Sequence, residues 1–515
     1  MTARGSAAVL GGCIPPAAAS RSRLALVAML ISFGCAQAVR EGLDAAAAAR
    51  DAHPIPLKTI GGEAGASDEL LDSLDDEPVV AIVEMTRQID LVALSAIHRR
   101  EGLSRLAARE RTLAAMRSLA SETETRLARR VAKLRASGNV LSYRHLLHRN
   151  AAIVVADATG LSALIEEPDV AGIERAHDSV ASTSRDVDGP GETPIPLGDA
   201  WPVASMGLRE LWSEGVDGRG IVVASLDSGV FGRHAALAPG WRREKGWYEP
   251  GLHGDPDSDT PRDDAAHGTL VISGAVGREV DGRALGAAPG ASWIAVLANA
   301  GGGYNSARMA LAADWLLFVG RPDVILAAWG HGPSNCEDMD RRMIEAFRAA
   351  GMLPIFAAGN DGPDRASGQS PANLSGLAPD GRGPLAVGAI DRNDTIAPLS
   401  SRGPRGCGGS EPFPDLLGPG WNVPVARDVG NPALDDRLYV ASGTSIAVGW
   451  VGGIAALAMQ AAPEMPIHEV EDLLKGTARD VGAPGLDDDS GHGAVDARSA
   501  VEQARRWNEL RARDH

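Results

Sequence analysis

The sequence predicts an α/β protein: a mostly parallel sheet with helices on both faces, preceded by a small α+β unit. Three observations carry this reading. From Trp201 onward, short apolar runs at residues 221–226, 292–298, 323–329, 353–358 and 385–390 alternate with helical stretches at 268–276, 305–319 and 337–350. Strands alternating with helices build parallel sheets covered on both sides. Residues 446–462 form an apolar run without a polar face, which fits a buried central helix better than a surface one. Ahead of all this, residues 78–175 show a different and smaller pattern, described below.

At 515 residues the chain exceeds one ordinary domain, and its 44% hydrophobic content supplies sizeable cores. The net charge of -17 argues against nucleic acid as a general partner. The first segment reads as an export signal. Arg21 and Arg23 precede the apolar run 24–33, and Ala36-Gln37-Ala38 has the small-x-small form of a cleavage site. The run is too short to span a bilayer as a helix, so no transmembrane segment is expected in the mature chain. Residues 1–38 are assigned to the signal and the protein to the extracellular space, the alternative being a lipid anchor through Cys35. Removal of the signal leaves Cys336 and Cys407, which allow either one disulfide or two buried thiols.

Residues 39–75 are rich in Ala, Gly and Asp and read as a linker. A strand follows at 78–84. Next comes a long helix whose Leu103, Leu106, Leu113, Met116, Leu127, Val131 and Leu134 fall at helical spacing beneath an Arg-rich polar face. A strand region at 141–155, a short helix at 161–166 and a strand at 170–175 complete a ferredoxin-like α+β unit spanning 76–181. Residues 182–200, rich in Pro, Gly, Asp and Ser, form a second linker, and residues 201–508 the main domain.

Functional groups in open α/β sheets gather at the carboxyl ends of the strands. Asp227 ends the run 221–226, His267 opens a helical stretch, Asn360 ends the run 353–358, and Ser445 opens the central helix. Singly, each has a plain structural reading: turn Asp, capping His, turn Asn, N-cap Ser. Together they are the parts acyl transfer needs. A Ser hydroxyl needs a base, His can be that base, a carboxylate fixes the His tautomer, and a side-chain amide can hold an oxyanion.

Asp227-Ser228-Gly229, His267-Gly268-Thr269, Asn360 and Gly443-Thr444-Ser445, in that order, resemble the motifs of the subtilisin-like serine peptidases (subtilases, S8 family). Gly286-Ala287-Ala288-Pro289-Gly290, the run Thr260-Pro261-Arg262-Asp263-Asp264 and the Gly491-to-Ala497 stretch extend the likeness over roughly residues 201–503 and point to the bacillopeptidase F branch. Residues 76–181 resemble that family's I9-like inhibitory propeptide. The resemblance implies a secreted serine endopeptidase that cleaves peptide bonds through an acyl-enzyme and is made as a self-processing precursor. It implies Ser445 as nucleophile, His267 as base, Asp227 as its orienter and Asn360 in the oxyanion hole. Ala328, Trp329 and Gly330 are then the edge that pairs with an extended substrate, and the partners are protein or peptide substrates and the chain's own propeptide, on a monomer. The alternative is a catalytically weak or inactive fold serving as a binding module. An esterase of the α/β-hydrolase kind would need Ser before Asp before His and a second Gly after the Ser, where Ala447 stands.

Two features depart from the family pattern. Gly449 replaces a usual Pro, an exchange that would loosen the turn seating Ser445, and Leu270 replaces a usual His. The chemistry requires no cofactor; structural calcium is allowed for, with its ligands unknown. Asp255, Asp257 and Asp259 have the alternate spacing of a calcium loop, but Thr260 stands where such loops want Gly and Ala266 where they want Glu. Asp487, Asp488 and Asp489 read as a charged turn.

Overall fold

The computed structural model describes residues 54–60, 77–180, 187–188, 198–252, 258–332, 336, 338–427 and 438–513. The proposed signal, most of both linkers, and Asp255 and Asp257 lie outside the described residues. Residues 55–515 form one compact unit.

The N-terminal part begins with β1 (Leu57–Thr59), which pairs antiparallel with β3 (Arg87–Ile89). Between them runs β2 (Val79–Met85). The long helix expected from Leu103 onward is preceded by a separate one. α1 (Leu91–Arg100) is capped by Asp90, and α2 (Arg105–Ala136) by Ser104. Each cap side chain accepts a backbone N–H of the first turn. β4 (Val140–Leu146) and β5 (Ala151–Ala156) follow, then α3 (Ala158–Ile165) and β6 (Val170–Arg175). The four strands order β4-β5-β2-β6, all antiparallel, which with the two helical crossovers is the β-α-β-β-α-β arrangement of a ferredoxin-like unit. β7 (Asp178–Val180) and β8 (Val187–Asp188) leave this unit and pair elsewhere.

The main domain opens with α4 (Trp201–Ser205) and α5 (Leu208–Ser213). Its sheet is then laid down by β9 (Val222–Asp227), β10 (Trp247–Tyr248), β11 (Ser292–Leu297), β13 (Val324–Ala327), β14 (Leu353–Ala357), β15 (Leu385–Ile390) and β16 (Leu416–Pro419). These seven strands order β10-β11-β9-β13-β14-β15-β16, and every pairing is parallel. The order reverses at β9: β11 lies on one side of it and β13 on the other, so a crevice opens at the carboxyl ends of β9 and β13. The remaining elements are α6 (His267–Val276), β12 (Gly303–Asn305), α7 (Ser306–Trp315), α8 (Asp338–Ala349), β17 (Val423–Ala426), β18 (Leu438–Ser442), α9 (Thr444–Ala461), α10 (Ile467–Gly476) and α11 (Ala497–Arg513).

Alternate strand residues supply the two apolar layers. Val223 and Ala295 pack with α6, α9 and α11 on one face, whereas Ala224, Leu226, Ile294 and Val296 pack with α7 and α8 on the other. α9 alone among the described helices is long and apolar enough to cross a membrane, but 89% of that stretch is buried inside the fold. It is the central helix read from the sequence.

Gly449 has a clear physical reason. It lies inside α9, not in the turn before it, so the usual Pro's absence loosens no turn. A Cβ at 449 would stand 2.1 Å from the Val271 carbonyl oxygen of α6. The two helix backbones therefore touch, and Trp450, fully buried, fills the adjoining space against Gly274. Leu270 is buried in the same layer. Gly449→Ala is expected to destabilise the fold by about 1–3 kcal/mol, because overpacking forces backbone shifts. A lowered urea midpoint with unchanged denaturant slope would show it.

Candidate active site

Asp227 is the last residue of β9 and has no exposed surface. His267 is the first residue of α6, held there by Ala266, whose left-handed φ of 59° is unusual for a residue with a Cβ. The Asp227 Oδ1 lies 2.8 Å from His267 Nδ1. A carboxylate accepts, so Nδ1 carries the proton and the lone pair of the neutral ring sits on Nε2.

Ser445 is the second residue of α9; Gly443, in extended backbone, occupies the cap position. The N-cap reading of Ser445 therefore does not hold. Its hydroxyl donates to the Ala328 carbonyl at 3.3 Å. The contact between Gly449 and Val271 lies one turn into each helix, four residues beyond Ser445 and four beyond His267. Both helices start at the carboxyl end of the sheet, so this crossing brings the two side chains to the same end.

Asn360 follows β14. Its Oδ1 accepts from the Thr444 backbone N–H and from the Thr444 hydroxyl, each at 2.9 Å. A backbone N–H can only donate, so the oxygen is the atom facing Thr444, and the amide N–H groups point the other way. The residue is thereby tied to the helix start that carries Ser445.

Ala328, Trp329 and Gly330 follow β13 directly. Trp329 is turned into the core: its Nε1 donates to the Leu226 carbonyl at 2.9 Å and its ring meets Tyr304 and Phe356. A Cβ on Gly330 would stand 2.9 Å from Gln369 Oε1. Among the described residues, β7 does not pair with 328–330. It pairs antiparallel with β12, Val180 opposite Gly303 and Asp178 opposite Asn305. β8 pairs with β18, Val187 opposite Ser442, three residues before Ser445. The sequence reading missed β12 because Gly301-Gly302-Gly303 looks like a loop and three strand residues carry no periodicity.

Asp263 was also missed as a site residue. One carboxylate oxygen accepts from the Ser228 hydroxyl at 2.7 Å; the other accepts from the Thr269 backbone N–H at 2.9 Å and from the Thr269 hydroxyl. Ser228 Oγ in turn accepts from the Gly268 N–H at 3.1 Å. Asp263 thus ties the residue after Asp227 to the turn that carries His267. Burial pushes its carboxyl up to about 6, helped by the Asp227 charge and opposed by the bonds from Thr269 and Ser228. Its sequence signals were its place in the Thr260-to-Asp264 run and its position four residues ahead of His267.

Among the described residues no group of three or more His, Cys, Asp or Glu side chains is placed to hold a metal ion. Asp487 Oδ1 accepts from Asp489 N, Ser490 N and Ser490 Oγ, while Asp488 and Asp489 pair with Arg365 and Arg402. Cys336 and Cys407 form a disulfide that closes a separation of 71 residues, which resolves the alternatives left open above.

Residues 218–493 match the model of the subtilase family. The chain is 34% identical over 336 residues to the Bacillopeptidase F of Bacillus subtilis (strain 168), covering 59% of this chain and 22% of that protein. It is 29% identical over 320 residues to the Serine protease AprX of the same organism, covering 55% of this chain and 66% of that one. To the Subtilisin Savinase of Lederbergia lenta it is 26% identical over 303 residues, covering 58% and 98%. The chain therefore spans less than two thirds of the length of the first two relatives. The matched region holds the parallel sheet, Asp227, His267 and Asn360, and the helix start at Ser445, and on that evidence the chain belongs to the subtilase family.

Proposed function

We propose that the protein is a serine endopeptidase made as a self-processing, exported precursor. The observation that carries this reading is the Asp227 carboxylate on His267 Nδ1, at the same end of the sheet as Ser445. With its Nε2 lone pair the ring takes the Ser445 proton as Oγ attacks a peptide carbonyl. Asp227 holds the tautomer and stabilises the imidazolium that forms. The tetrahedral oxyanion is received by the Asn360 side-chain N–H and a backbone N–H at the start of α9, where the helix dipole adds positive potential. The imidazolium then protonates the leaving amine, and water repeats the sequence on the acyl-enzyme.

The N-terminal unit acts as the propeptide, and its tail is the first substrate. β7 pairs with β12, and β8 with β18 three residues before Ser445; this reading takes the scissile bond to lie after Val180 and before Val187. An extended peptide would likewise add to β12 as a strand. Export fits the Arg21/Arg23 pattern and the Cys336–Cys407 disulfide, which is at home in an oxidising compartment. No cofactor takes part in these steps.

Intact masses of wild type and Ser445→Ala, expressed side by side, test the reading. Wild type is expected to split between residues 180 and 187, and the variant to stay whole there. Equal trimming of both, or of neither, overturns self-processing and favours a binding role. Asn360→Ala is expected to lower kcat about 100- to 1000-fold on a peptide substrate, a magnitude taken from this same family.

Asp263→Asn is expected to lower kcat/KM on the order of 10- to 100-fold, since it frees the backbone that sets the Asp227–His267 pair. Its stability test has a definite sign. The Asp263 carboxyl lies at about 6 when folded, against an ordinary 3.8, so the folded state binds this proton more tightly. The ionised carboxyl therefore costs stability, and that cost appears as pH rises through the window from about 4 to 6. The Tm difference, variant minus wild type, should move in the variant's favour across that window. A flat difference would place the carboxyl at its ordinary value.

A further inference from the structure

We propose that Asp340 is a positioning residue for extended substrates: with Tyr304 and His331 it holds β12 and residues 328–331 at the spacing a peptide needs to add between them as a strand. This rests on the peptidase reading and concerns residues that the chemistry at Ser445 does not use.

A peptide added between two strands needs its neighbours about 9.5 Å apart, twice the strand spacing. Neither neighbour is fixed by regular pairing alone. β12 is three residues long and follows Gly301 and Gly302. Residues 328–331 lie beyond the last pairing of β13, that of Ala327 with Phe356. One side of this segment is held by residues 369–370: the His331 N–H donates to the Ser370 carbonyl at 2.7 Å, and a Cβ on Gly330 would stand 2.9 Å from Gln369 Oε1 and from the Ser370 carbonyl oxygen. The side chains of the segment meet β12. Tyr304, the middle residue of β12, sets its ring at right angles to that of His331, with centroids 4.5 Å apart, and its centroid lies 5.7 Å from that of Trp329.

Asp340 fastens this contact. It is the third residue of α8, where the helix dipole favours an anion, and its side chain is buried. One carboxylate oxygen accepts the Tyr304 hydroxyl at 3.1 Å, and the other lies 3.2 Å from His331 Nε2. The two walls are thereby joined through a single rigid group, one oxygen to each. Tyr304 and His331 are buried as well. A buried hydroxyl or imidazole is stable beside a group that bonds to it and costly beside one that does not, so exchanging the carboxylate frees the walls to move apart.

Two substrates separate this role from a general structural one. Both end in the same residue, chosen from the bonds that wild type cuts in casein. One is an N-acetylated single-residue p-nitrophenyl ester; the other is a p-nitroanilide whose peptide runs three residues further back. Tyr304→Phe and Asp340→Leu are each expected to raise KM for the long substrate roughly tenfold with kcat within about twofold, because they remove binding shared by ground state and transition state. The ester is expected to show unchanged kcat/KM. The double variant is expected to be no worse than the poorer single one, since both act on one contact. Equal losses on ester and anilide, or an unchanged KM for the anilide, overturn the proposal.

β7 gives a second reading that needs no peptidase activity, because it already pairs with β12, Ser179 opposite Tyr304. In a Ser445→Ala chain, amide hydrogen exchange over residues 178–180 is expected to quicken on the order of tenfold in either variant, while exchange over β14 stays the same. Unchanged exchange at 178–180 overturns the brace even where wild type cleaves nothing. If Asp340→Leu quickens exchange through β14 as well, Tyr304→Phe, which removes one oxygen atom, decides alone. Wild type that cleaves neither substrate removes the peptidase reading, and the exchange result then decides the brace by itself.

Discussion

The contact of the Gly449 backbone with the Val271 carbonyl is the constraint on which the site depends. Two helices far apart in sequence carry Ser445 and His267, and only a residue without a side chain lets them approach so closely. The cost of glycine within a helix, roughly 1 kcal/mol relative to alanine, is offset by the packing of Trp450 against Gly274. Asp227 and Asn360 then need no special arrangement. They sit at the carboxyl ends of β9 and β14, and parallel pairing brings those ends into one row.

Hydrogen bonds within this row replace flexibility with reach. Asn360 is fixed by Thr444, His267 by Asp227, and the backbone carrying both members of that pair by Asp263. The links Asn360–Thr444, His267–Asp227 and Asp263–Ser228 join residues far apart in sequence but one bond apart in space. Preorganisation of this kind is what an acyl-transfer site requires, because groups already aimed at developing charge need not reorganise as the charge appears.

Much of this was legible in the sequence. The parallel sheet followed from apolar runs alternating with helical stretches, and the central helix from a run without a polar face. Four separate motifs in order located Asp227, His267, Asn360 and Ser445. What stayed hidden has physical reasons. β12 is three residues long and its strand character comes from pairing with β7, not from its own composition. At Ala328 to Gly330, which ends a clear strand, the sequence did not show that the Trp329 side chain turns into the core. α1 was not read as a helix of its own, since only Glu101 and Gly102 separate it from the run that begins at Leu103. Asp263 is an acidic residue in a charged loop until the fold half-buries it against Ser228 and Thr269. The burial of α8 could not be read either, since its amphipathic sequence announces a surface that α1 and α2 then cover.

The pairing of β7 with β12 and of β8 with β18 has a kinetic meaning for the proposed first cut. In that reading the tail is strand partner and part of the same chain, so no encounter would precede the cut. Its rate would be first order and independent of how dilute the protein is. A molecule alone in a large volume would then mature as fast as one in a crowded compartment. The clock would start when folding brings the two strands into place, and dilution, which slows every intermolecular substrate, would leave that first event unchanged.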